Sequence, residues 1–184
     1  MKTLLIDEKI KYEGWQLAPH WIYKNFKLQG DAIVAFIGEC EVKLTEMVDI
    51  EDVINNEPIY SKNMLSFITE QFNVNLVEGV FRQRLLICII KEVLENRGFT
   101  VRRSGDDLFV NDKKLTVSIA TKSLTSILIH TGINIDSTGA PVKACGLTND
   151  LGVIDIEEFA KEIMDRYSEE IDDIILASTK VRGV

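Results

Sequence analysis

The stretch from Arg103 to Asp136, RSGDDLFVNDKKLTVSIATKSLTSILIHTGINID, constrains the fold more than any other part of the chain. A polar turn with paired acids, Asp106 and Asp107, leads into the apolar run Leu108-Phe109-Val110, and Asn111-Asp112 makes a second turn. Beyond it, Leu115, Val117 and Ile119 alternate with Lys114, Thr116 and Ser118. A period of two belongs to a strand, so the pattern puts Lys114, Thr116 and Ser118 on one face. The spacing predicts a hairpin of Leu108–Val110 with Lys114–Ala120. Ser126–Thr131 gives a further strand, with Gly132 and Asn134 at its end. Two acids, a lysine entering a strand, and an asparagine after a glycine at a strand end are the parts of a phosphate-and-metal site.

Two long helices frame this region. In Leu76–Arg97, Val77, Val80, Phe81, Leu85, Cys88, Ile89, Val93 and Leu94 follow three-and-four spacing, and Gly98 supplies the stop. Arg82, Gln83, Arg84, Lys91 and Glu92 make its polar face. Asp155–Ser178 is amphipathic, with Ile156, Phe159, Ile163, Met164, Tyr167, Ile171, Ile174 and Ile175 as the buried stripe. Upstream, Lys2–Ile6 predicts an edge strand, Asp31–Val42 a buried strand interrupted at Gly38, and Asp49–Asn55 a short helix. Gly38 implies a bulge or a close backbone approach. Asn63–Phe72 reads as another strand, although its period also admits a helix. A loop follows Asp136 through Ser137–Pro141, and Asn149-Asp150 makes a turn. Central strands flanked by helices predict a single α+β domain over residues 1–184 with a mostly antiparallel sheet.

Composition excludes some functions. With 184 residues and 46% hydrophobic content, the chain can bury a full core. A net charge of −8 argues against nucleic-acid binding, because phosphate contacts need a basic face. Cys40, Cys88 and Cys145 are odd in number and lack a CxxC, which predicts reduced structural thiols and a cytoplasmic protein. No signal or membrane span is expected, since acids follow Met1–Ile6 at once. His20, between Trp15 and Trp21, reads as a packing residue. The acids from Glu39 to Asp52 read either as a solvated loop and helix face or as a site where Glu39 or Glu41 meets a ligand cation or metal.

RSGDDLFVNDKKL, residues 103–115, aligns without gaps with the biotin protein ligase signature KWPNDIYVNGKKL. Gly132-Ile-Asn134 is similar to the GINVN segment of the same family, at the matching spacing. Ala32–Gly38 and Ile59–Phe67 are similar to the opening and post-loop strands of lipoate ligases. The whole sequence resembles a mostly archaeal domain-of-unknown-function family placed in this class II synthetase-like superfold. That resemblance implies a biotin/lipoate ligase-like catalytic domain that binds a small carboxylic acid or a nucleotide.

If catalytic, such a domain activates the acid with ATP and magnesium and passes the acyl group to an amine, which a protein acceptor could carry. Lys114 is then implied to hold the acyl and phosphate oxygens, and Arg103 a second anionic contact. Asp107 and Asn134 are implied to serve the nucleotide and its magnesium, with Asp106, Ser118, His130 and Gly132 also at the nucleotide site. The alternative is a non-catalytic relative that keeps the pocket as a small-molecule sensor or partner-binding module; a homodimer stays open in either case. Without the resemblance, Asp107 is a turn cap, Lys114 an exposed strand lysine and His130 a packed residue; a hydrolase at the same pocket would use His130 or an acid as base.

The departures from the signature are specific. Arg103 replaces its first lysine, Ser104-Gly105 replace Trp-Pro, Asp106 replaces asparagine, and Val117 stands where glycine would admit a ligand to the backbone. The arginine- and glycine-rich loop expected after Gly38 is missing, and the acidic segment Glu39–Asp52 occupies its place.

Overall fold

A computed structural model describes residues 1–140 and 142–184. The predicted loop after Asp136 therefore ends at Pro141, outside the described residues. Elements run β1 (Lys2–Leu5), α1 (Trp21–Phe26), β2 (Ala32–Val42), α2 (Ile50–Asn55), β3 (Ile59–Phe72), α3 (Leu76–Asn96), β4 (Arg102–Ser104), β5 (Asp107–Val110), β6 (Lys113–Lys114), β7 (Thr116–Lys122), β8 (Ser126–Asp136) and α4 (Ile156–Thr179). A short 3-10 turn, Leu44–Glu46, precedes α2. The main sheet has five strands in the order β1-β2-β3-β8-β7, parallel between β1 and β2 and antiparallel elsewhere. β4, β5 and β6 form a separate three-stranded sheet.

Alternation in the central strands builds two cores. Ile33 and Ala35 of β2, Leu65 and Phe67 of β3, and Ile133 and Ile135 of β8 point to α3 and α4. Ala32, Val34, Phe36, Met64, Ile68 and Leu128 point the other way, onto Tyr12, Leu17, Trp21 and Ile22. Asn75 and Asp155 cap the two long helices, accepting hydrogen bonds from Glu78 N at 3.0 Å and Glu158 N at 2.8 Å. Both caps lie three residues before a glutamate, so each helix start is written locally.

The backbone at Gly38 meets the N-terminal segment. A Cβ there would fall 2.1 Å from the carbonyl oxygen of Ile10, and the β2–β3 register shifts between Gly38 and Cys40. Both predicted consequences of this glycine, bulge and close approach, are present. The strand continues through it to Val42.

Four expectations need correction. The Leu108–Val110 strand pairs with Lys113–Lys114, not with the whole of Lys114–Ala120. Leu115 separates β6 from β7, and β7 joins the main sheet beside β8. Second, β8 does not end at Thr131 but runs on through Gly132 and Asn134 to Asp136. Third, the buried stripe of α3 is Gly79, Gln83, Leu86, Ile87, Ile90, Val93 and Leu94, with Ile89 beside it. Val77 and Phe81 are exposed, and Gln83 is buried. Fourth, Ile174 and Ile175 of α4 are about half-exposed, because the core contacts of that helix stop at Ile171.

Candidate functional site

On the sheet face opposite α3 and α4, a cavity of about 510 Å³ lies between the main sheet, the N-terminal segment, the 42–60 connection and the small sheet. Its apolar floor comes from Tyr12, Leu17, Val42, Met64, Val117 and Ile119. Even-numbered residues of β8 share this face, which brings His130 and Asn134 into the cavity. Gly132 lies between them in sequence but does not line it. A Cβ at Gly132 would sit 2.2 Å from Met64 Sδ, so the glycine makes room for the methionine that does.

Lys114 enters from the small sheet with its backbone fixed on two sides. It pairs with Phe109 of β5, its N–H donates to Lys143 O at 2.9 Å, and its carbonyl accepts from Cys145 N at 3.0 Å. The side chain is about one-third exposed and forms an ion pair with Asp107 at 3.0 Å. The Asn111-Asp112 turn that delivers it has positive φ at both residues, 51° and 57°, the geometry of a two-residue hairpin loop.

Seven carboxylates line the cavity (Glu46, Asp49, Asp52, Glu57, Asp106, Asp107 and Asp112) against Lys114 and Lys143. On the small-sheet side they are compensated: Asp106 by Arg84 at 3.1 Å, Asp107 by Lys114, and Asp112 by Arg102 at 3.6 Å. In the 46–57 segment Glu46, Asp49, Asp52 and Glu57 make no ion pair among the described residues. Burial raises the Asp52 carboxyl above its ordinary range, helped by Asp49 and Glu57 and opposed by Lys114. Burial also raises Asp107, against the hydrogen bond and charge of Lys114.

The side chain of Asn134 is 8% exposed and has no hydrogen-bond partner among the described residues, although its backbone is paired to Leu115 and Leu147. Its amide atoms are open to the cavity and are available to a ligand or to water. His130 stacks on Tyr12 with ring centroids 3.7 Å apart, and its Nε2 lies 3.3 Å from Ser66 Oγ. Burial pushes its pKa down to about 3, so the ring is neutral at physiological pH. A buried neutral imidazole in these contacts is the packed residue of the alternative reading, with one edge at the cavity.

Ser118 and Asp106 meet through a residue the sequence pattern hid. Gln83 Nε2 donates to Asp106 Oδ2 at 3.0 Å and to Ser118 Oγ at 3.1 Å. Ser118 Oγ lies 2.8 Å from Thr131 Oγ1 and donates to His130 O at 3.0 Å. The signal that could have found Gln83 is its spacing from Leu86, Ile87 and Ile90, the true buried stripe. Arg103 is exposed, donates to Gly105 O at 2.7 Å and does not line the cavity; the guanidinium beside the acids is that of Arg84. Glu39 and Glu41 also lie elsewhere, both paired with Lys11. The later acids of that segment, from Glu46 onward, reach the cavity instead. His20 packs on Phe72, 5.8 Å between ring centroids. Cys40 is buried and its thiol is pushed up to about 12, first by burial and then by Glu39, which suits a structural role.

A mostly antiparallel sheet with two helices on one face and this cavity on the other is the catalytic-domain fold of biotin and lipoate protein ligases. The biotin protein ligase of Aquifex aeolicus in complex with biotin and ATP superposes with a TM-score of 0.63 at 14% identity, over 93% of this chain and 70% of that one. The chain itself belongs to the family described as a domain of unknown function (DUF366), which matches residues 1–182. It is 41% identical over 180 residues to uncharacterized protein MJ0805 of Methanocaldococcus jannaschii, covering 95% of this chain and 81% of that one. A protein of unknown function from Pyrococcus horikoshi has the same fold throughout, with a TM-score of 0.95, 41% identity, and coverage of 100% and 99%. Among the described residues no helix is long and apolar enough to cross a membrane.

The residues fit magnesium only in the company of a nucleotide. Among the described residues no three His, Cys, Asp or Glu side chains converge to hold a metal. Magnesium in nucleotide sites takes one or two protein oxygens and completes its shell with phosphate and water. Asn134 Oδ1 and the Asp107 oxygen not paired with Lys114 are free for that.

Proposed function

We propose that this protein binds a small carboxylic acid in the cavity, with its carboxylate on Lys114, and that it activates the acid with ATP and transfers the acyl group to an amine. The single observation that carries the reading is Lys114: a cation held rigidly by its backbone, entering an apolar-floored cavity that the Asn134 amide also lines. A fixed cation there stabilises charge that develops on acyl and phosphate oxygens, and costs little reorganisation because its strand is pinned. Bound ATP with magnesium would supply an adenylyl group to the carboxylate with loss of pyrophosphate, and AMP would leave when the amine takes the acyl group. Asn134 and Asp107 would hold the magnesium and its phosphates, while Asp107 also orients Lys114. The neutral His130 and its apolar neighbours exclude water from the acid's chain.

A second reading, a sensor that binds the acid without chemistry, is favoured by the uncompensated acids of the 46–57 segment, which oppose a triphosphate at short range. Calorimetric titration with ATP and magnesium separates the two. Binding that Asn134→Ala abolishes, followed by acid-dependent pyrophosphate exchange that Lys114→Ala lowers by orders of magnitude, supports the ligase. Absence of binding at millimolar ATP overturns it and leaves the sensor.

A further inference from the structure

We infer that the acid bound here is a zwitterion: a short chain with its carboxylate on Lys114 and an ammonium group at its other terminus against Asp52, Asp49 and Glu57. This rests on the carboxylate-pocket reading and names the class of acid. The cavity brings a cation, an apolar floor and unpaired carboxylates together. Lys114 and Asn134, whose side chain has no hydrogen-bond partner among the described residues, line it. Tyr12, Met64, Val117 and Ile119 supply the apolar lining for an aliphatic spacer.

The unpaired carboxylates decide the class. Asp106 and Asp107 have cations of their own, so the cavity's excess negative charge lies on the 46–57 wall. A plain hydrocarbon tail seated there would strip water from carboxylates and return nothing. A metal ion is a poor occupant, because these acids do not converge on a point. An ammonium satisfies several spread carboxylates at once, since its three donors rotate freely on a flexible stem. The raised Asp52 carboxyl, crowded by Asp49 and Glu57, is consistent with a wall that gains from an arriving cation.

The test is calorimetric titration, at neutral pH, with 4-aminobutanoate, 6-aminohexanoate and 8-aminooctanoate beside the matching fatty acids and alkylamines. One of the amino acids is expected to bind at least about tenfold more tightly than both of its single-headed partners, about 1.4 kcal/mol. That advantage should vanish in the Asp52→Asn/Glu57→Gln double variant and shrink as salt is raised. Fatty-acid binding should persist in the double variant. Melting curves report whether that variant is folded, and Asp52→Asn alone gives the same comparison if it is not. If a fatty acid binds as tightly as its amino acid and is lost in Lys114→Ala, the zwitterion is overturned and the carboxylate pocket stands. If an alkylamine alone matches the amino acid, or no probe binds, both are overturned.

Discussion

Lys114, Asp107 and Asn134 show what single residues can disclose. A gapless match to a ligase signature singled out Asp107 and Lys114, a similar Gly-Ile-Asn segment singled out Asn134, and all three line one cavity. Arg103 stands at the signature's first lysine yet is exposed and donates to Gly105 O, because a side chain's direction in the short strand β4 depends on backbone geometry that an aligned letter does not carry. Asp52 and Glu57 were hidden for a different reason: acids in a short exposed helix and the turn after it look solvated until their neighbours in the cavity are known. Two residue-scale predictions follow from the contacts. Gly38→Ala puts a Cβ against the Ile10 carbonyl, a backbone atom that cannot turn aside. It should lower stability by about 1–3 kcal/mol in urea denaturation, as overpacking does. Asp52→Asn should do the reverse. Its folded-state pKa is raised, so ionisation costs the folded form stability once pH rises through the unfolded value. At neutral pH the variant should melt slightly higher, a gain of about 0.5 kcal/mol or less at so open a position. An unchanged or lower melting temperature would contradict that account.

At the scale of elements, the helices, the turns and most of the strands were readable, because caps, turn residues and periodicity are local. Asn75 and Asp155 start α3 and α4, and Asn111-Asp112 turns β5 into β6. The break at Leu115 was not readable. Alternation continues unbroken across it, and only the pairing of β7 with β8 reveals that the chain has changed sheets. Nor was the rotation of α3. Its surface carries apolar residues on more than one face, so three-and-four spacing admitted Val77 and Phe81, which are exposed, as readily as the stripe containing Gln83. That stripe makes α3 part of the site. Gln83 links the helix to the β4–β5 turn through Asp106 and to β7 through Ser118. Gln83→Leu keeps the volume roughly but leaves Ser118 and Asp106 without their donor. The expected cost is about 1–3 kcal/mol in equilibrium denaturation. Since Arg84 still holds Asp106, the turn should stay in place and ligand binding should fall less than in Lys114→Ala. A loss of binding equal to that of Lys114→Ala would make Gln83 part of the ligand contact instead.

For the molecule as a whole, the fold buries β8 between β3 and β7 of the main sheet, and His130 with it. Any unfolding of the domain must therefore expose this imidazole, so its protonation reads global stability. Folded, burial holds its pKa at about 3; unfolded, it returns to the ordinary value of about 6.5. Between these values the unfolded chain binds a proton that the folded one refuses. Stability is thus greatest above about pH 6.5 and falls as pH drops, with a slope approaching about 1.4 kcal/mol per pH unit. The carboxylates that their partners hold low, Glu41 beside Lys11, Asp136 beside Thr138 and Asp150 beside Lys113, add their own loss only below about pH 4, near and beneath their unfolded values. The carboxyls of Asp52 and Asp107, which burial raises, act in the opposite sense, and equally in the unmodified protein and a His130 variant. The difference between the two proteins over the interval from about pH 6 to pH 5 therefore isolates His130. Urea midpoints measured across it should decline in the unmodified protein and stay nearly level in His130→Gln, whose amide can still bond Ser66 but does not titrate. Parallel declines in the two proteins would mean that His130 takes up its proton in the folded state, and would return it to the candidates for acid–base chemistry.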